Sequence, residues 1–207
     1  MKILQHNHWI VVCLALLAAS GCSTSSDPSA SQNSDLASEY LMRAWKEFES
    51  KRYDAASLLF TDAINSATTD SVKADGYSGR GWSALLSRKL SNALSDYDKA
   101  LNISQAPEPV KIDAKAGRSY AQFAAKDFSG TIASASEVLR LRSSYTFSHA
   151  SAVTATQVRL LLAQSYFATG QYYQAAQQLD ILNPQQAPHS SDPTLLLAKI
   201  TSLVSIL

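Results

Sequence analysis

The sequence predicts an all-α protein, a solenoid of about four helix pairs closed by a C-terminal helix. The first observation is repetition. A helix-like pattern, a short polar break and a second helix-like pattern recur in residues 40–64, 77–101, 115–139 and 159–183. The second is register, since an aromatic residue or Leu follows each break and a small residue comes three positions later. The third is an apolar stripe near the C-terminus. Such repetition is typical of solenoids, in which each unit buries its apolar face against its neighbours.

The chain begins with a pattern typical of a secretory leader. Lys2 supplies positive charge, residues 9–19 form an apolar run, and small residues follow. A bilayer requires about 20 apolar residues, so this run is too short to span one comfortably. We expect residues 1–21 to be a signal peptide that is removed.

The end of the leader, Ala19-Ser20-Gly21-Cys22, resembles the bacterial lipobox, which usually has Leu at its first position. The resemblance implies that Cys22 is diacylated and becomes the N-terminal lipid anchor, and two or more acyl chains give stable membrane attachment. Ser23 after the cysteine, rather than Asp, implies the outer membrane with the domain facing the periplasm. The alternative is an ordinary secretory cut near Ala19, with Cys22 an incidental thiol.

The composition excludes several classes of function. Removal of residues 1–21 takes away one basic residue, Lys2, and leaves 17 basic beside 17 acidic residues. A net charge of zero without a long basic run argues against binding of nucleic acid. Cys13 lies in the leader, so acylation of Cys22 leaves no thiol for a disulfide, a cysteine metal site or a cysteine nucleophile.

The remainder divides into three parts. Residues 22–36, the acylated cysteine and a Ser-rich stretch, are predicted to be a flexible tether. The solenoid is predicted over 37–190 and the capping helix over 191–207. Asp192-Pro193 is a helix start signal. The stripe of this helix comprises Leu196, Ile200, Leu203 and Leu207, with Leu197 and Val204 beside it. Each buried stripe residue is worth about 1.5–3 kcal/mol. The stripe therefore caps the solenoid, fills its groove or meets another chain.

The repeated segments resemble the tetratricopeptide repeat (TPR), a 34-residue helix pair with small residues at its positions 8 and 20. The fourth unit matches best, through Leu162, Ala163, Tyr166, Gly170, Tyr172 and Ala175. The resemblance covers about residues 37–185 and implies a right-handed superhelix. Equivalent small residues are roughly 37, 38 and 44 positions apart, which is longer than the 34-residue repeat. Most of the additional residues lie in the stretch SSYTFSHASAVTA before the fourth unit. Gly81 falls where the two helices of a unit approach most closely, so only a small side chain fits there. At Gly79, the glycine is interpreted as making room for the preceding unit.

In this family, two positions of each first helix face the concave inner surface. The first position holds Trp45, Trp82, Tyr120 and Gln164, and the second holds Phe48, Leu85, Phe123 and Phe167. We call these eight residues the inner ladder. Exposed aromatic patches of this kind usually mark a binding surface, so the ladder is predicted to be a partner-binding groove. The alternative is that the C-terminal helix folds back into the groove and covers it.

Nothing in the sequence points to catalysis, a metal or a cofactor. His149 and His189 are predicted in loops without cysteines or clustered carboxylates at ligand spacing. Asp96 and Asp98 are interpreted as a solvated helix face. Residues 76–80, GYSGR, lack the final glycine of a nucleophile elbow.

The resulting hypothesis is an outer-membrane-anchored periplasmic TPR adaptor, not an enzyme, that binds a peptide or helix of an envelope protein in an assembly or secretion complex. One alternative is peptidoglycan or carbohydrate binding, with Trp45, Trp82 and Tyr120 as stacking platforms. Its polar groups would be Asp113, Gln122 and Gln164. Another is a purely structural scaffold with a self-filled groove. Self-association through the C-terminal helix is a further expectation.

Overall fold

The computed structural model describes residues 28–206, with side chains for residues 35–205, and this part of the chain is almost entirely helical. Its α-helices are α1 Pro28–Glu49, α2 Tyr53–Ser66, α3 Asp70–Leu86, α4 Leu90–Asn102, α5 Glu108–Ala124, α6 Phe128–Leu141, α7 Ala155–Ala168, α8 Tyr172–Leu182 and α9 Pro193–Ile206. A 3-10 turn spans Pro184–Gln186. The described residues contain no strand, and Thr146 and Thr154 form an isolated bridge. The all-α prediction is confirmed, whereas the predicted leader and Cys22 lie outside the described residues.

The helices stack in chain order in two layers. Every helix from α1 to α8 packs against the next one along the chain. The odd-numbered helices also contact one another in order, from α1 with α3 to α7 with α9, whereas within residues 28–206 the even-numbered helices do not. A row of helix pairs that meets along one layer only must curve toward that layer. The odd-numbered helices therefore form the inner side of the stack and the even-numbered helices its outer side.

The first four odd-numbered helices end in the same turn. The residues Lys51, Arg88, Lys126 and Gly170 have φ of 62°, 60°, 62° and 74°. After each of them, a backbone N–H reaches back across the turn, as from Arg52 N to Glu47 O at 2.9 Å. This is the pattern of a left-handed residue that ends a helix and satisfies its last carbonyls. The turns are 37, 38 and 44 residues apart, which agrees with the spacing of the four units in the sequence.

Two of the three glycines of α3 are explained by aromatic rings on the outer helices, and the third, Gly76, lies against the Ile64 side chain of α2. A Cβ at Gly79 would overlap the ring of Phe60, which comes from α2 of the preceding unit. A Cβ at Gly81 would lie 2.8 Å from Cε1 of Tyr97, which comes from α4 of the same unit. Both rings are fully buried. The helix-propensity cost of about 1 kcal/mol for each glycine is thus offset by close packing of two large side chains.

The last helix closes the stack. α9 packs against α7 and α8 and buries Leu196, Ile200 and Leu203 of the predicted stripe. They form a separate apolar cluster with residues of α7 and α8 that include Ala163 and Leu179. Across residues 28–206, none of the helices combines the length and apolar character that a membrane crossing requires.

The first helix is longer than composition predicts. α1 begins at Pro28 and so includes the second half of the segment 22–36 that was expected to be a flexible tether. Proline is favoured in the first helical turn, where its missing N–H would have no partner. Because α1 is held in place from the buried Ala37 onward, further residues are added at its N-terminal end without a new nucleation cost.

We expect Gly79→Ala to lower the free energy of unfolding by about 1–2 kcal/mol. The methyl group overlaps several atoms of the buried Phe60 ring, so we expect a cost in the upper part of the overpacking range, about 2–3 kcal/mol. The gain in helix propensity recovers about 1 kcal/mol. Urea denaturation measures the difference. Ser71→Ala, at an exposed position of the same helix, is the control and should stay within about 0.5 kcal/mol of the wild type. A Gly79→Ala protein as stable as the wild type would contradict the packing argument.

Candidate functional site

The inner side of the stack is partly covered by the chain itself. The covering segment is residues 143–154, which connect α6 to α7, and we call it the cover segment. Tyr145 and Phe147 are buried, whereas the alternating residues Thr146 and Ser148 are exposed. The alternation is that of an extended strand with one side facing the protein. Two backbone hydrogen bonds hold the two ends of the segment together. The Phe147 N–H donates to Val153 O at 2.9 Å, and the N–H of Ala155, the first residue of α7, donates to Tyr145 O at 2.7 Å.

The side chains of the cover segment fill the space beside the inner ladder. The Phe147 ring stacks on Trp82, with ring centroids 4.5 Å apart and planes inclined by 18°. It also meets Trp45 and Phe48 edge-on, at centroid distances of 5.9 and 6.1 Å. The His149 imidazole lies flat on Trp45 at 3.7 Å, and its Nδ1 is 2.8 Å from Oε1 of Glu49. The segment thereby joins the fourth unit to the first and second.

The open aromatic groove that the sequence predicts is therefore absent at three of its positions. Trp45 is 7% exposed and Trp82 and Phe48 are each 2% exposed. The predicted alternative, coverage by the C-terminal helix, does not occur at these three positions, since α9 contacts α7 and α8. The surplus residues before the fourth unit supply the cover instead. Their sequence showed that they were extra, but not that they fold back across the stack.

The other predicted groove residues are partly exposed. Leu85, Tyr120, Phe123, Gln164 and Phe167 are half-buried. Tyr120 lies 6.1 Å from Trp82, centroid to centroid, whereas Phe123 and Phe167 contact the first residue of the following helix, Phe128 and Tyr172 respectively. The structure thus brings Trp45, Phe48, Trp82 and Tyr120 into one cluster. The ladder residues of the fourth unit, Gln164 and Phe167, lie at the C-terminal end of the stack.

An open apolar pocket lies at that end, between α7 and α9. Its volume is about 260 Å3, and it is lined by Gln164, Phe167, Leu197, Ile200, Thr201 and Val204. We call it the terminal groove. Leu197 and Val204 are 49% and 50% exposed. The sequence pattern places these two residues beside the apolar stripe of the last helix. It does not show that they meet the inner ladder, because that contact depends on α9 packing next to α7 on the inner side.

Two carboxyl groups lie beneath the cover segment. Burial raises the pKa of Asp75 to about 6, against the smaller lowering effects of His149 and the Trp45 N–H. Burial also raises the pKa of Asp113, and Tyr145 acts in the lowering direction there. The Trp45 Nε1 and the Tyr145 hydroxyl are both buried without a hydrogen bond of good geometry. Ionised carboxylates would be strong acceptors for these donors, so the protonation state of the pair bears on how firmly the cover is held.

The remaining titratable candidates have structural partners. Nδ1 of His189 and its backbone N–H lie 2.8 and 2.7 Å from one carboxylate oxygen of Asp180, which holds the loop before α9. Asp96, expected on a solvated face, is buried, because Arg80 reaches across from α3 and donates two hydrogen bonds of 2.8 Å to its carboxylate. Asp98 is exposed and paired with Arg118 at 3.2 Å. Within the described residues no group of three His, Cys, Asp or Glu could hold a metal ion.

No protein-family model matches the chain, and no curated protein matches its sequence. The case for a function therefore depends on the inner face: a covered aromatic part in the first three units and an open apolar part at the last.

We expect Phe147→Ala to destabilise the fold by about 3–5 kcal/mol, as truncation of a buried phenylalanine usually does. It should also expose the two indoles that it covers. Trp45 and Trp82 are the only tryptophans from residue 23 onward, so their emission should shift to longer wavelength under native conditions. Urea denaturation and emission spectra of the chain without its leader test this. Tyr173→Ala, which removes an exposed ring on α8, should change neither, and unchanged emission in Phe147→Ala would contradict the covering role.

Proposed function

We propose that this protein is a lipid-anchored adaptor of the bacterial envelope, built from TPR-like units in a right-handed superhelix. It binds the apolar face of a helix from an envelope protein in the terminal groove. The lipobox-like residues at Cys22, followed by Ser23, support an acylated anchor in the outer membrane with the domain facing the periplasm. The order of the helices and the four equivalent turns support the TPR-like architecture.

The observation that carries the proposal is the uncharged, partly exposed lining of the terminal groove. Phe167, Leu197 and Val204 present apolar surface there without a covering segment, and the lining contains no charged side chain. Exposed apolar clusters of this kind are typical of interaction sites. An uncharged lining suits an apolar stripe and offers nothing to a strongly charged ligand.

The shape of the groove favours a helix as the occupant. It is bounded by two helices, α7 and α9, and its polar groups are few. The Thr201 hydroxyl already donates to the Leu197 carbonyl at 2.9 Å, so it does not require a partner. A helix satisfies its own backbone hydrogen bonds and can bury an i, i+3, i+4, i+7 stripe in such a groove, whereas an extended peptide would bring unpaired N–H and C=O groups.

Sugar binding through the aromatic ladder is less well supported. A sugar ring needs a free aromatic face and adjacent hydrogen-bonding groups. The indoles of Trp82 and Trp45 stack on Phe147 and His149 of the same chain, and Tyr120 is half-buried. The open part of the inner face is apolar, which favours a protein helix.

The anchor is tested by Cys22→Ser. We expect this variant to lose incorporation of labelled palmitate and to move from the membrane fraction to the soluble fraction, because no acyl chain can be attached. The wild-type protein should be labelled and sediment with membranes. Palmitate labelling of the Cys22→Ser protein at the wild-type level would contradict the anchor.

The terminal groove is tested by site-specific photocrosslinking in the cell envelope. A crosslinker at Val204 should capture one envelope protein through a defined segment, and a crosslinker at Leu58, which is 70% exposed on α2, should not. The captured segment is then synthesised and titrated against purified protein. Leu197→Glu should weaken binding at least about 100-fold, since it places a charge against an apolar stripe, and Leu58→Glu should have no effect.

Three results would contradict the adaptor. Val204 and Leu58 could give the same crosslinked products, or the captured segment could bind the Leu197→Glu protein with unchanged affinity. Finally, the captured segment could belong to a second copy of this chain. In that case the terminal groove is a site of self-association rather than of partner binding.

A further inference from the structure

The cover segment is held by apolar contacts and by groups that change charge with pH. The apolar part is the burial of Tyr145 and Phe147 against the inner helices. The ionisable part consists of the 2.8 Å contact between His149 and Glu49, which is an ion pair only when the imidazole is protonated, and of the carboxyl groups of Asp75 and Asp113. Because of these ionisable groups, the equilibrium between the closed and open cover segment depends on pH.

The charged and titratable groups around Asp75 come from three directions. α1 presents the Trp45 indole N–H, and the exposed Glu49 lies behind it next to His149. α5 presents Asp113, whose negative charge opposes ionisation of Asp75. The cover segment presents His149, which favours the ionised form. Arg142 at the end of α6 and the Tyr145 hydroxyl act on Asp113 rather than on Asp75. Burial exceeds all of these effects on the Asp75 pKa.

The direction of the pH dependence follows from this balance. When the cover opens, Asp75 returns to water and toward the ordinary aspartate pKa of about 3.9. The closed form holds the Asp75 proton more tightly, so opening releases a proton and becomes easier as pH rises from about 4 to 6. The raised pKa of Asp113 acts in the same direction.

We propose that residues 143–154 form a proton-controlled lid over Trp45, Phe48 and Trp82, held closed in mild acid and opened more often at neutral pH. Opening joins the covered aromatic surface to the terminal groove along one inner face. That this enlarged face serves the same partner helix rests on the proposed function, whereas the lid itself does not depend on any partner.

The size of the effect is set by the change in the Asp75 pKa. A value of about 6 in the closed form and about 3.9 in the open form makes the opening equilibrium constant roughly tenfold larger at pH 7.5 than at pH 5. The lid still opens rarely, since opening exposes Tyr145 and Phe147 as well as the aromatic residues beneath them.

Hydrogen exchange measured by NMR or mass spectrometry tests the lid in the purified protein without a partner. The amides to follow are those of Phe147, Val153 and Ala155, which donate hydrogen bonds of 2.9, 2.9 and 2.7 Å within the segment and to Tyr145. Their exchange, corrected for the intrinsic rate at each pH, should be about tenfold less protected at pH 7.5 than at pH 5. Amides of Ala176 and Leu179 in α8 report global unfolding, which releases the same Asp75 proton, so the amides of the cover segment should exchange faster than these at both pH values.

The matched variants are Asp75→Asn and Asp62→Asn. Asp75→Asn keeps a side chain of the same shape without a titratable proton and should remove most of the pH dependence, leaving the lid protected at both pH values. Asp62→Asn changes an exposed aspartate on α2 and should behave as the wild type. The lid proposal fails if wild-type protection is the same at both pH values, if the Asp75→Asn protein keeps the full tenfold change, or if the cover-segment amides are as protected as those of α8, which would mean that they exchange only through global unfolding. These outcomes are independent of whether the Val204 crosslinker finds a partner.

Discussion

The stack of Phe147 on Trp82, with Trp45 and His149 beside it, is the contact on which the inner face depends. In a linear array of helix pairs, each unit touches only its neighbours, and stability is roughly a sum of local terms. This contact is different, since it joins the segment before the fourth unit to α1 and α3. It converts an array with open inner surface into one whose first three units share a core with residues from much later in the chain. The first unit therefore depends on a segment about 100 residues away for the burial of its tryptophan.

The same contact decides where a partner can bind. Large aromatic residues on the inner side of successive helices are costly to leave in water, and here the chain itself covers them. A ligand competing for that surface must replace contacts that are intramolecular, and therefore present at high effective concentration. The terminal groove carries no such competition, because none of the residues that line it belongs to the cover segment. The proposed partner helix is therefore assigned to Phe167, Leu197 and Val204, even though the more aromatic surface lies elsewhere.

The sequence was a good guide to local structure and a poor one to long-range contacts. Helix pairs, their spacing, the close approach at Gly81 and the stripe of α9 follow from periodicity and from small residues at fixed intervals, which are local properties. The coverage of Trp45 by His149 joins residues about 100 positions apart, and the burial of Asp96 depends on Arg80 reaching from the preceding helix. Neither pair stands out by spacing or residue type. The sequence did not predict that α1 starts within the Ser-rich segment, because Ser-rich stretches have a low helix propensity. Here the packed part of α1 already provides a helix that these residues can extend.

The placement of the two carboxyl groups distinguishes the cover from the repeat. Seven residues before each first-position ladder residue, the four units carry Ser38, Asp75, Asp113 and Gln157. If an acid were required by the repeat itself, it would occur in all four. It occurs only in the second and third units, where burial raises the pKa of both groups. A buried carboxyl with a raised pKa costs stability at neutral pH, and a neutral polar residue is tolerated at the same position in the other two units. The two aspartates are therefore better explained by the cover segment above them than by the repeat, and their negative charge opposes closure of that segment.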